Sequence, residues 1–575
     1  MHPNKQFGGV SSPSSHPLFT WLGFDARIAE ERACFAPAAA LALALAALPF
    51  LLHLLVDTDR ALPVAFLPAL WLGWKIPKPA HRLDAWLLAW AVAAMLISAT
   101  FAPHAARAFV MTAAVGWTIA GALVARNLAA CTPAIRLILI GMVAGAIVGV
   151  VMVRFGVGAQ RMFFPTYWSA RLFGAHEFAG CIAVTALLHF GIPHRVSRTP
   201  LVLAAAVVWT GLAWSGSRAA ALGLVVALTI WFWRGTPAER RFLLRYVPAL
   251  SVTALILSYT LGNPYPQLGW WDAFTRTTHA TGLEAVTSER TRFWAATLRH
   301  ALTSPWIGYG ADNYLYMQPA QIGNQPHNVL LQWFLEYGLL GALPLVGLIL
   351  RGVSGALVRP AVGVEPDRPF RVWACAALAG ATAYGLFDGV FYHMIIFMPV
   401  AVIAGVAIGQ SNPSGDAPGF VVRTHPLGRL LLLGALSILV LHGWLFLMLI
   451  RGRNVRPDSP PARILRVFPS ITYGLRNWIE AWRTTQPEVA MEWIKWAESA
   501  AIEQGTFHVY AAQLYIWKKD YKSAEAELLL CLGKVSYIER SDVQEALAHV
   551  RRLAAEQDLK RAPQPGAAPV KLVQP

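Results

Sequence analysis

Long apolar stretches, separated by short polar ones, dominate the chain up to residue 450. Most of them approach the roughly 20 residues that a helix needs to cross about 30 Å of hydrocarbon. The pattern predicts about thirteen membrane-spanning helices, of which 61–76 and 218–233 are the shortest. The predicted spans are 34–56, 61–76, 84–103, 107–129, 134–155, 172–192, 199–215, 218–233, 245–263, 328–350, 372–390, 392–409 and 429–450. We therefore predict an all-α fold, a polytopic membrane helix bundle.

Positively charged residues in the short loops predict how the helices are oriented. Lys and Arg lie in alternate loops, and the loops between them, such as 57–60 and 102–107, carry fewer. Cytoplasmic loops are enriched in these residues. We therefore expect the N-terminus inside, and both the long loop 264–327 and everything after residue 450 outside.

The chain after residue 450 has a different pattern, with apolar residues at helical spacing in a more polar background. The segment 511–528 resembles the joint of a tetratricopeptide helix pair, with Tyr521 and Ala524 in the expected order. Because only one such repeat is evident, we predict a small helical, TPR-like soluble domain rather than a long solenoid.

The predicted organisation has six parts. The Gly-, Ser- and Pro-rich start lacks the apolar core and cleavage site of a signal peptide, which predicts a cytoplasmic tail. The Pro-rich end predicts disorder. The parts are a tail at 1–33, transmembrane helices at 34–263, an outer loop domain at 264–327, transmembrane helices at 328–450, a soluble domain at 451–561 and a disordered tail at 562–575.

Composition supports a membrane protein and excludes several other classes. Hydrophobic residues make up 56% of the 575 and charged residues only 14%, with a mean hydropathy of +0.47. A soluble chain carries about 25% charged residues. The net charge of +17 is spread over loops between apolar runs, so we expect no nucleic-acid partner. The five cysteines are far apart and show neither metal-ligand spacing nor a disulfide framework.

Polar motifs concentrate between residues 290 and 338, at the end of the outer loop and the start of the next span. Arg290, Arg292 and Trp294 belong to a predicted amphipathic helix with Ser288 as its cap. A solvated basic helix face is the alternative reading of these arginines. The turn SPWIGYGADNY follows, and its glycines are typical of a structural turn.

Four further residues are candidates for chemistry. His327, in the triplet Pro-His-Asn with Asn328, begins the next predicted span, where the helix dipole favours a neutral imidazole that can accept a proton. A capping or core histidine is the alternative. Arg218 and Asp388 lie at outer ends of spans, where a charge is costly and marks a site by default. A snorkelling interfacial side chain is the alternative for Arg218.

The order Arg…Trp…Pro-x-x-Gly-x-Gly-x-x-Asn…His-Asn…Glu-Tyr-Gly resembles the signature of the O-antigen ligase and polymerase superfamily, over roughly residues 160–410. The resemblance implies a bacterial inner-membrane glycosyltransferase with its active face in the periplasm. Its donor would be a glycan on undecaprenyl pyrophosphate, and its acceptor lipid A-core or an exported protein. His327 would be catalytic, and Arg218, Arg290, Arg292, Asn328 and Asp388 would bind substrate.

The residue types suit that reaction. A glycan on pyrophosphate is already activated, so fixed positive charge on the leaving group matters more than a strong acid. Arginine supplies that charge and binds phosphate bidentately, while a histidine takes the acceptor's proton. We therefore expect neither metal nor cofactor, and partners limited to the carrier-linked glycan, the acceptor and membrane lipid.

Several alternatives stay open at this stage. A polymerase would join two carrier-linked units, whereas a protein O-oligosaccharyltransferase would glycosylate an exported protein, a choice that the outer C-terminal domain favours somewhat. A transporter of lipid-linked glycan would show inverted repeats and interrupted helices near the midplane. A membrane scaffold would leave the outward arginines unexplained.

Overall fold

The computed structural model describes most of the membrane part of the chain and much of the C-terminal part. The described ranges are 29–54, 59–73, 81–155, 166–191, 198–262, 290–314, 326–357, 370–411, 426–451, 485–499, 504–532 and 537–561, with residues 459, 463, 479 and 482–483. The predicted disordered ends, the Ser288 cap and most of the outer loop lie outside these residues. Within them the chain is helical and contains no strand.

Each predicted apolar run contains a helix. The described membrane part has fourteen α-helices, and all of them except a short amphipathic one overlap the predicted spans. They are α1 Ala29–Leu54, a 3-10 helix Asp59–Phe66 continued by α2 Leu67–Gly73, α3 Arg82–Thr100, α4 Ala105–Leu128, α5 Thr132–Arg154, α6 Thr166–Phe190, α7 Thr199–Ser215, α8 Arg218–Arg234, α9 Pro237–Thr260, α10 Arg290–Ala301 (the amphipathic one), α11 Val329–Leu357, α12 Arg371–Gly385, α13 Met394–Ser411 and α14 Pro426–Arg451.

Seven of the described helices are long and apolar enough to cross a membrane. This agrees with a multi-pass membrane bundle. Other helices are too short by the same measure, including α7 and α8 with 17 residues each and α12 with 15. The count of thirteen spans therefore stays a prediction.

Glycines bring three helix pairs into backbone contact. A Cβ added at Gly141 of α5 would lie 2.4 Å from the Ala42 carbonyl oxygen of α1. One added at Gly405 of α13 would lie 2.0 Å from the Ala122 carbonyl oxygen of α4. Gly223 of α8 and Gly380 of α12 approach each other in the same way. Lipid offers no hydrophobic drive between helices, so such close packing holds membrane bundles together.

Two sets of contacts mark the two ends of the bundle. At one end Arg351, near the C-terminus of α11, binds Asp84 at the start of α3 at 2.9 Å. Arg371, at the start of α12, donates to the Gly355 carbonyl there. At the other end, the connections before α4, α8, α11 and α13 come together. The alternation of ends agrees with the predicted loop pattern, and we call the second one the site end.

Among the described C-terminal residues, four helices pack in chain order: α15 Pro487–Ser499, α16 Gln504–Trp517, α17 Tyr521–Leu532 and α18 Tyr537–Arg561. Trp493 and Phe507 are fully buried between α15 and α16, and Leu528 and Val550 between α17 and α18. The described part is thus a small helical unit with its own core. Its TPR-like character stays a prediction.

Candidate functional site

His327 and Asp388 form a pair at the site end. The His327 Nδ1 atom lies 3.1 Å from Asp388 Oδ1, although 61 residues separate them. The side chains are 19% and 32% exposed respectively, so a substrate can reach both. The Phe293 ring of α10 lies beside the imidazole, with ring centroids 6.5 Å apart. The structure therefore joins two residues that sequence patterns marked separately.

The sequence predicted that His327 begins the helix, but α11 begins two residues later, at Val329. Asn328 is the cap, since its Oδ1 accepts from the backbone N–H groups of Leu330 and Leu331. Its Nδ2 donates to the Leu386 carbonyl at 3.1 Å. His327 precedes the cap with a left-handed φ of 50°. These contacts give Asn328 a structural task, and its predicted contact with substrate stays a prediction.

The amphipathic helix α10 is fixed against the same place. Trp294 donates its indole N–H to the Pro326 carbonyl at 3.0 Å, directly before His327. Its ring also packs against Phe387, directly before Asp388. The spacing of four residues places Arg290 and Trp294 on one helix face. Arg290 acts electrostatically on Asp388, whereas Arg292, two residues on, leaves the helix in a direction about 200° away.

Arg218 is the first residue of α8 and is exposed. Gly216, at φ 57°, ends α7, and Ser217 caps α8 by accepting from the Ala220 N–H. Ser217 also hydrogen-bonds Tyr384 of α12, on which Asp388 and Arg290 act electrostatically. Tyr384 therefore connects the turn that holds Arg218 with the surroundings of the His327–Asp388 pair.

The charge on Asp388 determines what His327 can do. Partial burial opposes ionisation, but the hydrogen bond and charge of His327, together with the charge of Arg290, outweigh it and lower the pKa of Asp388. An ionised carboxylate only accepts hydrogen bonds, so the proton between the pair is on Nδ1. In a neutral imidazole the free lone pair is then on Nε2. The arrangement can orient a histidine base.

The O-antigen ligase family model matches residues 202–346. That segment runs from α7 into α11 and contains Arg218, Arg290, Arg292, His327 and Asn328. This match supports a place for the chain in the O-antigen ligase superfamily. Comparison with curated proteins gave no match. The matched segment is thus similar to membrane glycosyltransferases of the O-antigen ligase and polymerase type.

Two glycine motifs of the O-antigen ligase domain pack directly against each other. Helix α11 is broken at Gly338, where φ is 61° and ψ is −169°, although Val329–Gly355 is long and apolar enough to cross a membrane. Cβ atoms added at Gly308 and Gly338 would lie 2.5 Å and 2.2 Å from the opposing backbone. Tyr309 and Gly310 donate backbone N–H groups to the carbonyls of Leu335 and Glu336. The turn therefore supplies N–H donors to backbone carbonyls that lose their helical partners at the break.

A cluster outside the predicted site lies beside this turn, and sequence reasoning missed it. Asp312 binds Arg107 of α4 at 2.7 Å and Arg60 of the 3-10 helix at 3.1 Å. Tyr392 donates its hydroxyl to the same carboxylate. The available signal was that Arg60 and Arg107 lie in the two basic-poor loops, where a charge near the membrane needs a partner.

No group of three His, Cys, Asp or Glu side chains within the described ranges is arranged to hold a metal ion. His327 and Asp388 are a single nitrogen and a single carboxylate, and the nearby charged side chain of Arg290 is cationic. The prediction that the reaction needs no metal rests on its chemistry and stays a prediction.

Proposed function

We propose that this protein transfers a glycan from undecaprenyl pyrophosphate to an acceptor hydroxyl, on lipid A-core or an exported protein, at the periplasmic face of the inner membrane. The observation that carries the proposal is the 3.1 Å contact of Asp388 with His327, which lies in the segment that matches the O-antigen ligase family. A transporter of lipid-linked glycan needs no such oriented base.

In the proposed reaction, Nε2 of His327 takes the proton of the acceptor hydroxyl. The acceptor oxygen attacks the sugar C1 as the bond from C1 to the pyrophosphate oxygen breaks. The electron pair of that bond leaves with undecaprenyl pyrophosphate. Asp388 holds the imidazole through Nδ1 and stabilises the imidazolium that forms, as in other oriented histidine bases.

Arg218 and Arg290 are the proposed pyrophosphate ligands, with Arg292 as a further candidate. Arg218 is exposed at the N-terminus of α8, where the helix dipole also favours an anion. Arg290 begins α10 near Asp388. Positive charge fixed near the leaving group stabilises the transition state as negative charge develops on the pyrophosphate.

The test uses purified protein with carrier-linked glycan and separate acceptors: lipid A-core, a candidate exported protein and a second carrier-linked unit. His327→Ala is expected to fold, to bind carrier-linked glycan and to lose about 10²–10⁴-fold in transfer rate. His327→Gln keeps a hydrogen-bonding group without proton uptake and should lose nearly as much. Full activity in both variants would reject the proposed chemistry.

The acceptor arms separate the branches of the superfamily. Transfer to lipid A-core or to protein supports the proposal and identifies the acceptor class. Transfer only to the second carrier-linked unit would instead show a polymerase. Movement of carrier-linked glycan across vesicles with no transfer in any arm would indicate a transporter.

A further inference from the structure

Asp312 is a buried carboxylate that joins three separate parts of the chain. Its side chain is 3% exposed. It accepts hydrogen bonds from Arg107 Nε at 2.7 Å, from Arg60 Nη2 at 3.1 Å and from the Tyr392 hydroxyl. Arg107 lies in the first turn of α4, Arg60 in the 3-10 helix before α2, and Tyr392 directly before α13. The cluster therefore ties the N-terminal helices to the connection between α12 and α13.

The backbone of Asp312 is tied to a fourth element. Its N–H donates to Glu336 Oε1 of α11 at 3.1 Å, and its φ is 58°. The neighbouring Asn313 side chain accepts from the His104 N–H at 3.0 Å. A left-handed conformation costs energy for a residue other than glycine, and it persists only where surrounding contacts enforce it. Here those contacts come from α11 and from the connection before α4.

Asp312 is charged at neutral pH. Burial opposes its ionisation, but Arg107 and then Arg60 outweigh this effect, and the pKa of Asp312 is lowered. Burial and the neighbouring carboxylate raise the pKa of Tyr392, which therefore stays a hydrogen-bond donor. A carboxylate that is paired with two arginines in a buried site is a fixed point in the fold.

A short rigid turn links this fixed point to Asp388, four residues before Tyr392. The Gly389 N–H donates to Asp388 Oδ1 at 2.8 Å, and the Tyr392 N–H donates to the Gly389 carbonyl at 3.0 Å. Val390 and Phe391 between them are buried. A displacement of Tyr392 must therefore move Asp388.

We propose that Asp312 is a positioning residue for the transfer reaction. Acting through the hydroxyl of Tyr392, it sets the position of Asp388, and Asp388 in turn orients His327. The inference rests on the proposed function of His327 as the base. Neither Asp312 nor Tyr392 needs to touch substrate for this role.

The test is Tyr392→Phe, which removes one hydroxyl and leaves both ion pairs of Asp312 in place. Small misplacement of reacting groups costs up to about 10²-fold. We expect kcat to fall about ten- to a hundredfold, while KM for carrier-linked glycan changes less than about twofold. Because a nearby carboxylate favours a protonated imidazole, the acid limb of the pH–rate profile should also move to lower pH. Asp388→Asn should move it in the same direction.

Two further measurements distinguish positioning from a general structural role. The double variant Tyr392→Phe with Asp388→Asn should be no slower than Asp388→Asn alone, since residues acting in one chain are not additive. Arg60→Lys keeps the charge beside Asp312 but loses the guanidinium contact with Tyr392, and should shift the profile in the same direction. Additive losses, or an unmoved pH profile with lower kcat, would overturn the proposal.

Tyr309→Phe is the matched control. Tyr309 lies in the same glycine turn, but its hydroxyl contacts Thr303 instead of Asp312. It should keep the activity and pH profile of the unmodified protein. If His327→Ala is inactive and Tyr392→Phe is unaffected in kcat and pH profile, only the positioning role fails. If His327→Ala is fully active, the proposed function and this inference both fail.

Discussion

His327 and Asn328 are neighbours with different contacts. His327 has a left-handed φ of 50°, and its Nδ1 lies 3.1 Å from Asp388 Oδ1. Asn328, one residue on, uses its oxygen to cap α11 and its nitrogen to hold the α12–α13 connection. The contacts of Asn328 therefore fix the position of the backbone directly after His327.

Arg290→Ala is expected to reduce transfer by about 10²-fold or more, because it removes a charge that would stabilise the proposed pyrophosphate leaving group. Arg290→Lys should recover only part of the rate, since it lacks the bidentate guanidinium. Initial rates with carrier-linked glycan measure both. Arg299→Ala, in the last turn of the same helix and exposed, is the control and should remain active. Unchanged turnover in Arg290→Ala would remove that residue from the site.

At the residue scale, the sequence predicted only contacts between residues that are close together in the chain. Arg290 and Trp294 could be placed on one face because their spacing is helical, and the structure puts them there. The Asp312 cluster could not be found in this way, since Arg107 and Arg60 are 205 and 252 residues from Asp312. No local pattern encodes such a contact, and only the packing of the helices creates it.

Helix α11 shows how a break can be part of a stable element. Gly338 interrupts α11 about two and a half turns from its start, and residues 305–310 run beside the break. Leu339 and Leu340 donate backbone N–H groups to the carbonyls of Pro305 and Trp306, so the polar backbone stays paired. Irregular backbone at membrane depth is tolerated only where protein covers it in this way.

Gly338→Ala is expected to destabilise the protein by about 2–3 kcal/mol or more, because the backbone there is open only to glycine and the new Cβ meets the Trp306 carbonyl. Thermal melting in detergent should show a clear drop, with activity lost at the same time. Gly116→Ala in α4 is the control, since a Cβ there meets nothing within 4 Å. Equal melting of the two variants would contradict the role given to the break.

Hydropathy was sufficient to locate the apolar helices but not their irregularities. Each predicted run overlaps a helix because length and apolar content alone determine that signal. The break in α11 depends on Gly338 and on the backbone of residues 305–310, and the 3-10 helix before α2 has no signature in hydropathy. Boundaries also moved: α1 begins at Ala29, five residues before the predicted span.

At the scale of the whole molecule, two charged pairs mark opposite ends of the bundle. The Asp84–Arg351 pair belongs to one end and the His327–Asp388 pair to the other. Helix ends alternate along the chain in the way that the basic loops predicted. Which end faces the periplasm is a separate question that a reporter can answer.

A reporter enzyme that is active only after export should be active when fused after residue 460. The reason is the predicted enrichment of basic loops on the cytoplasmic side. A fusion after Gly235, in the basic turn between α8 and α9, is the matched control and should be inactive. The opposite pair of results would place the C-terminal unit and the His327 site on the cytoplasmic side and reject the proposed topology.

The ion pairs of Asp312 join residues that the ribosome synthesises at very different times. Arg60 and Asp312 are 252 residues apart, and Arg60 and Tyr392 are 332 apart. At ribosomal speeds of about 5–20 residues per second, Arg60 emerges roughly 13–50 s before its carboxylate partner. Helices α1 to α9 are therefore synthesised before Asp312, so Arg60 and Arg107 cannot yet form their ion pairs with that carboxylate. The site end is completed last, when Tyr392 is synthesised, so a chain that stops before Tyr392 lacks the Asp312 cluster.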